Sequence, residues 1–247
     1  MKNLFRILGV ILLIFLVHSC CKKENNEPKI EHGSVTDYNG NTYNTVKIGT
    51  KWWMAENLKV TQYNNGDVIG TTTPATLDIS SESTPKYEWP CDGMEVLVNQ
   101  YGRLYIWYAV TDSRMVCPTG WHVPTDAEWT TLTDYLTNNG YGYQGSGNDI
   151  AKSMASNSGW GTDPYIEDGM IGKDQASNNG SGFSAKPSGY RYGNGDFGGL
   201  GGETIFWSAT EINMGEAWFR NLYYFWSQLD AGSYPKNNGH SVRCLKD

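Results

Sequence analysis

The apolar positions of this chain change their spacing several times, and each change marks an element. Lys2 and Arg6 lead into an apolar run from Ile7 to Val17, well short of the roughly 20 residues that span a bilayer. That pattern predicts a secretory signal over residues 1–19. Residues 21–29 are polar, marked by Pro28 and without periodicity, so a flexible tether over 20–34 is expected ahead of a domain at 35–247. Within the domain, stretches rich in β-branched and aromatic residues predict strands at 42–48, 51–54, 205–209, 216–225 and 241–245. Thr125-Asp126-Ala127-Glu128 has the spacing of a capping box, in which hydroxyl and carboxylate satisfy the free amides of a first turn. Trp129, Leu132 and Leu136 then fall on one helical face, and Gly140 supplies a stop. A second helix is predicted over residues 101–110, with Leu104, Trp107 and Tyr108 on one face.

Residues 140–202 hold 17 of the 29 glycines, interspersed with Trp160, Tyr165, Phe183, Tyr190, Tyr192 and Phe197. Rings at intervals in a glycine-rich stretch predict long but ordered, packed loops. The expectation is an α+β domain with two main helices, short antiparallel strands and such loops.

Composition and charge narrow the function. Of 247 residues, 39% are hydrophobic and 13% aromatic, enough for a core. Loss of the signal removes two basic residues, leaving 17 basic against 26 acidic, a net of −9 that makes nucleic acid an unfavourable partner. His18 and His32 fall in signal and tether, leaving His122 and His240 far apart; with no paired-cysteine or EF-hand spacing, no metal or cofactor is expected. Gly193-Asn194-Gly195-Asp196-Phe197-Gly198 fits a dinucleotide fingerprint, but the glycines that follow cannot open the helix such a site needs.

Four strings are recognisable together: 49–58 (Gly-Thr-Lys-Trp-Trp-Met-Ala-Glu-Asn-Leu), 101–109, 117–129 and the closing Gly239-His240-Ser241-Val242-Arg243-Cys244. They resemble the Fibrobacter major paralogous domain, from about Val35 to Asp247. The resemblance implies a secreted or lipid-anchored bacterial domain. The Trp121–Trp129 string is also similar to the formylglycine-generating sulfatase-modifying enzymes, which implies a C-type-lectin-like fold. Those oxidases use a close cysteine pair near the C-terminus, and here only Cys244 stands there. A disulfide between Cys117 and Cys244 is expected, because an exported chain meets an oxidising compartment and both lie in family strings. Cys91 is left as a buried thiol or a partner for Cys21, the thiol being preferred. Val17-His18-Ser19-Cys20 resembles the lipobox of bacterial lipoproteins, which makes Cys20 the acylated residue.

These readings predict a non-catalytic interaction module, adhesin-like or binding a glycan or surface protein, anchored by lipid to the outer membrane on either face. The alternatives are a divergent enzyme using Asp196, Glu203 or Glu211, and a structural component of envelope or fimbriae. If 216–226 is a strand, Trp218, Arg220 and Leu222 share one side and match the resembled Ala-Trp-x-Arg-x-Leu pattern as scaffold, with Arg220 paired to a buried carboxylate or carbonyl. The other side, Phe219, Asn221 and Tyr223, with Tyr234, Asn237 and Asn238, is then the expected contact surface, unless these rings fill a second core layer. For the anchor, metabolic palmitate labelling is expected to vanish in Cys20→Ala and to persist in Cys21→Ala; the reverse places the lipid on Cys21.

Overall fold

The computed structural model describes residues 30–247; the expected signal, the expected acylation at Cys20 and most of the expected tether lie outside the described residues. The first three strands, β1 (His32–Thr36), β2 (Thr42–Ile48) and β3 (Lys51–Met54), form an antiparallel meander. β4 (Glu88–Pro90) is followed by helix α1 (Val98–Tyr101), by β5 (Arg103–Ile106), which pairs with β4, and by helix α2 (Trp107–Val110). β6 (Trp121–His122) leads into α3 (Asp126–Asn138), and α4 (Ala151–Met154) precedes β7 (Ser188–Arg191). Then come β8 (Phe197–Leu200), β9 (Glu203–Glu211) and β10 (Glu216–Tyr223). β11 (Asp230–Pro235), β12 (Gly239–His240) and β13 (Leu245–Lys246) close the chain.

One sheet has the order β1-β2-β3-β13-β6, and the other β11-β10-β9-β7-β12-β5-β4 with β8 beside β7. Neighbouring strands run antiparallel except β7 with β9. The molecule is therefore largely β-sheet, with a few short helices.

Helix α3 is held as its residues require. The Thr125 hydroxyl accepts from the Glu128 amide and the Glu128 carboxylate from the Thr125 amide, so the capping box is complete. Trp129, Leu132 and Leu136 are buried. Trp129 stacks on Phe206 of β9 with ring centroids 5.7 Å apart and lies 5.0 Å from Trp53 of β3. This helix thus packs against both sheets.

The second expected helix does not form. Gly102, with φ +79° and ψ −158°, ends α1 after one turn, and a Cβ there would lie 2.6 Å from that of Asn57. A backbone so placed cannot continue as helix, and the next four residues run as β5, buried on every side chain, before α2 adds one more turn. One helix of 13 residues therefore replaces the two that were expected. Strands at 42–48 and 51–54 fall where expected; 205–209 extends to β9, and 216–225 stops at Tyr223. The strand at 241–245 is interrupted: only Leu245 of it lies in a strand, β13, while β12 ends at His240. Strand β1 begins at His32, inside the stretch read as tether.

The interruption at 241–244 has a physical cause. β12 belongs to the larger sheet and β13 to the smaller, so the chain crosses between them here. Arg243, fully buried, spends its guanidinium on the carbonyls of Met54, Phe183 and Ser184 and on Asn57 Oδ1, at 2.6 to 3.0 Å. Cys244 follows and is bonded to Cys117 as expected, both sulfurs lying in the core beside Tyr43 and Trp207.

The disulfide closes a separation of 127 residues, which the chain-entropy account values at about 5 kcal/mol before native strain. The Cys117→Ala/Cys244→Ala chain is therefore expected to lose several kcal/mol in urea unfolding, whereas Cys91→Ala, whose thiol is buried and free, loses only the small amount of a trimmed core side chain. Equal losses would mean the bridge does not constrain the unfolded chain.

Candidate functional site

The alternation of β10 explains why neither of its sides looked polar. Leu222 faces the cluster that holds Trp129 and Phe206, while Ala217 and Phe219 face the cluster that holds Trp207 and the disulfide. Arg220 donates to Asp126 Oδ1 at 2.7 Å, in the first turn of α3, and to the Phe219 carbonyl at 3.1 Å, so carboxylate and carbonyl both serve it.

Of the six residues expected to form a contact surface, three are removed from it. Phe219 is 7% exposed, Asn221 5% and Asn238 4%. Phe219 belongs to the core layer, its ring stacked on Tyr234 at 4.6 Å and free to lie over β11 because Gly232 opposite it has no side chain. Asn238 accepts from the Gly193 amide at 3.0 Å, and Asn237, half-buried, donates to the Ser80 carbonyl; both brace loops. Tyr223 and Tyr234 remain at the surface, half-buried.

What the structure gathers beside them is Glu203, opposite Tyr223 in the β9–β10 register, with Tyr190 of β7 and Tyr192 just after it. Asn221 donates its amide to Glu203 Oε2 at 3.1 Å. A Cβ at Gly199 would lie 2.8 Å from Glu203 Cγ and 2.9 Å from Tyr190 Cε1, and one at Gly198 2.9 Å from the Tyr190 hydroxyl. The bare backbone of β8 is the floor on which this ring and this carboxylate rest. Tyr192, 40% exposed, meets Tyr190 edge to face at 4.8 Å, and Tyr223 meets Trp226 likewise at 5.2 Å.

The electrostatics follow from burial. Desolvation raises the pKa of Glu203, with only the Asn221 amide opposing it. Tyr190 is raised by the Tyr192 hydroxyl beside it and by burial, Tyr223 by burial and then by Tyr224, and Tyr234 by burial and then by Tyr192, with the Glu203 charge a smaller cause in all three. Several neutral phenols thus surround one carboxylate. Beneath Tyr234 lies His240, fully buried against Trp207 with both ring nitrogens unbonded; burial takes its pKa down to about 3, so it is a neutral core ring.

The other carboxylates do not join Glu203. Asp196 closes the β7–β8 turn with Asn194, and Glu211 pairs with Lys236 at 2.6 Å from the opposite end of β9, roughly 26 Å along the strand. Cys91 Sγ donates to the Ser188 carbonyl, and burial pushes its pKa up to about 12. Among the described residues no three His, Cys, Asp or Glu side chains gather as a metal site requires.

The Fibrobacter succinogenes major domain profile matches residues 46–246, from mid-β2 through β13. The chain belongs to that family. The match covers the larger sheet, the smaller sheet from mid-β2 onward, the disulfide and every residue of the tyrosine face, so the face is built wholly within the family's domain. No curated protein and no solved structure matches the chain. Sequence reasoning found Tyr223, Tyr234 and Glu203 on separate grounds and named Tyr190 and Tyr192 among the rings of the glycine-rich loops, but did not bring the two groups together, which depends on β7 and β9 pairing.

Burial separates the two kinds of ring. Phe219→Ser is expected to cost about 3 to 5 kcal/mol in chemical denaturation, as a core Phe truncation does, and Tyr223→Ser about 1 kcal/mol. Similar costs would put Tyr223 in the core as well.

Proposed function

We propose that this chain is a non-catalytic interaction module of the bacterial envelope, anchored by lipid at Cys20 to the outer membrane, that binds a glycan or surface protein through Tyr190, Tyr192, Tyr223 and Tyr234 around Glu203. The observation that carries the reading is the half-exposed tyrosine group itself. Rings with few rotatable bonds, fixed from below by Phe219, His240 and the glycines of β8, offer large contact area at low entropic cost.

Export is supported by the Cys117–Cys244 bridge, since disulfides persist in oxidising compartments. A non-catalytic role is supported by the thiols: Cys244 is in a disulfide, and Cys91 is buried with its pKa pushed up, the opposite of a reactive thiolate. A C-type-lectin-like fold is supported by the β13–β3 pairing, which brings the last strand into the sheet of the N-terminal meander, and by the long irregular stretch between α3 and β7.

The test uses the full-length chain in detergent on a glycan array and on intact cells. Tyr192→Ala/Tyr223→Ala is expected to weaken every ligand the wild type retains by tenfold or more, a change of about 1.4 kcal/mol or greater, with thermal stability nearly intact. Undiminished binding by the double variant would move the contact face elsewhere.

A further inference from the structure

Glu203 is the feature of this face that a neutral ligand leaves unexplained. Its carboxylate is half-buried, and Asn221 is its only hydrogen-bond partner among the described residues; no lysine, arginine or histidine pairs with it there. By contrast Glu88, Asp126 and Glu211 each have an arginine or lysine within 2.9 Å. The Asn221 amide that meets Glu203 has its own oxygen buried without a donor. The Glu203 carboxylate is therefore left on this face without a cation from the chain among the described residues. A carboxylate withdrawn from water without a counter-ion is costly, and a cation brought by a ligand relieves that cost.

The surroundings suit a cation of a particular kind. Uncharged phenol rings attract an ammonium through their π faces. The face is an open platform: β7, β9, β10 and β11 lie side by side, about 14 Å across at ordinary strand spacing. An open platform of rings accepts another ring laid flat on it, whereas a threaded side chain needs enclosing walls. Resting on the contact-face reading above, we infer that this face recognises the ammonium group of an amino sugar within a glycan, Glu203 receiving the charged amine while the tyrosine rings carry the pyranose.

Calorimetric titration of the full-length chain in detergent with a glucosamine trimer and with its N-acetylated counterpart tests this directly. The wild type is expected to bind the charged trimer about tenfold more tightly than the acetylated one. Glu203→Gln, of the same shape without the charge, abolishes that preference without lowering the melting temperature, and Tyr192→Ala weakens both trimers. Equal binding of the two trimers by the wild type, or a preference unchanged in Glu203→Gln, overturns the ammonium assignment while the contact face stands. Binding of a lysine-rich peptide in a Glu203-dependent way, with neither trimer bound, overturns the glycan assignment in favour of a protein ligand.

Discussion

A single buried cation at the crossing between two sheets organises this molecule. Arg243 lies on the short segment that leaves β12 in the larger sheet and enters β13 in the smaller, and no carboxylate bonds to it. Three backbone carbonyls and the Asn57 amide oxygen satisfy the guanidinium, with Phe183 beneath it at 4.7 Å. Burial lowers its pKa to about 9, and the more distant Glu56 charge opposes that shift. The carbonyl at 54 and those at 183 and 184 belong to two stretches of chain distant in sequence, so one side chain on the crossing ties β3, the loop before β7 and the C-terminal segment together. The Cys117 bridge to the neighbouring residue adds a covalent tie to the segment before β6. Hydroxyls extend the junction: Ser241 reaches Ser188 at 2.8 Å, which reaches Thr204 at 2.7 Å, joining the crossing to the starts of β7 and β9.

That junction is also what positions the tyrosine face. β7 carries Tyr190 and leads to Tyr192, and β9 carries Glu203; both are held at the crossing, and β10 and β11 are added outward from β9 by strand pairing, with β10 also held by Arg220 on Asp126. The sheet is covered on both sides near β10, by α3 and its aromatic cluster on one side and by the disulfide cluster on the other. Toward the β8 glycines and the end of β10, Tyr190, Tyr192 and Tyr223 reach the surface. The face is floored there by backbone.

How much of this was legible depended on how local its cause was. The capping box of α3 and strands β2 and β3 are fixed by neighbouring residues, and their positions were readable from them. Residues 101–110 misled because Leu104, Trp107 and Tyr108 have helical spacing, while the decisive fact, Asn57 packed against Gly102, is a contact across 45 positions of sequence. The β10 run was ambiguous for a comparable reason: an apolar strand with two covered sides carries no signal for which is outside. Phe219 and Asn221 were assigned to the surface because Trp218, Arg220 and Leu222, on the opposite side, match the family pattern as scaffold; both are buried, Phe219 with its ring stacked on Tyr234 and Asn221 with its amide on Glu203. Glu203 could be read as a carboxylate of interest, but not as one without a cation, since that depends on which strands meet.

Hydrogen exchange read by mass spectrometry, on the full-length wild type and on Arg243→Met, tests the organising role of the crossing most directly. Local cooperative units lose protection together when a shared support is removed. If Arg243 ties the sheets, its replacement exposes the amides of β2 and β3 and those of β9 and β10 in the same step. Loss confined to β3 and β13, with β9 and β10 keeping wild-type protection, would contradict that role and leave the tyrosine face supported by its own sheet.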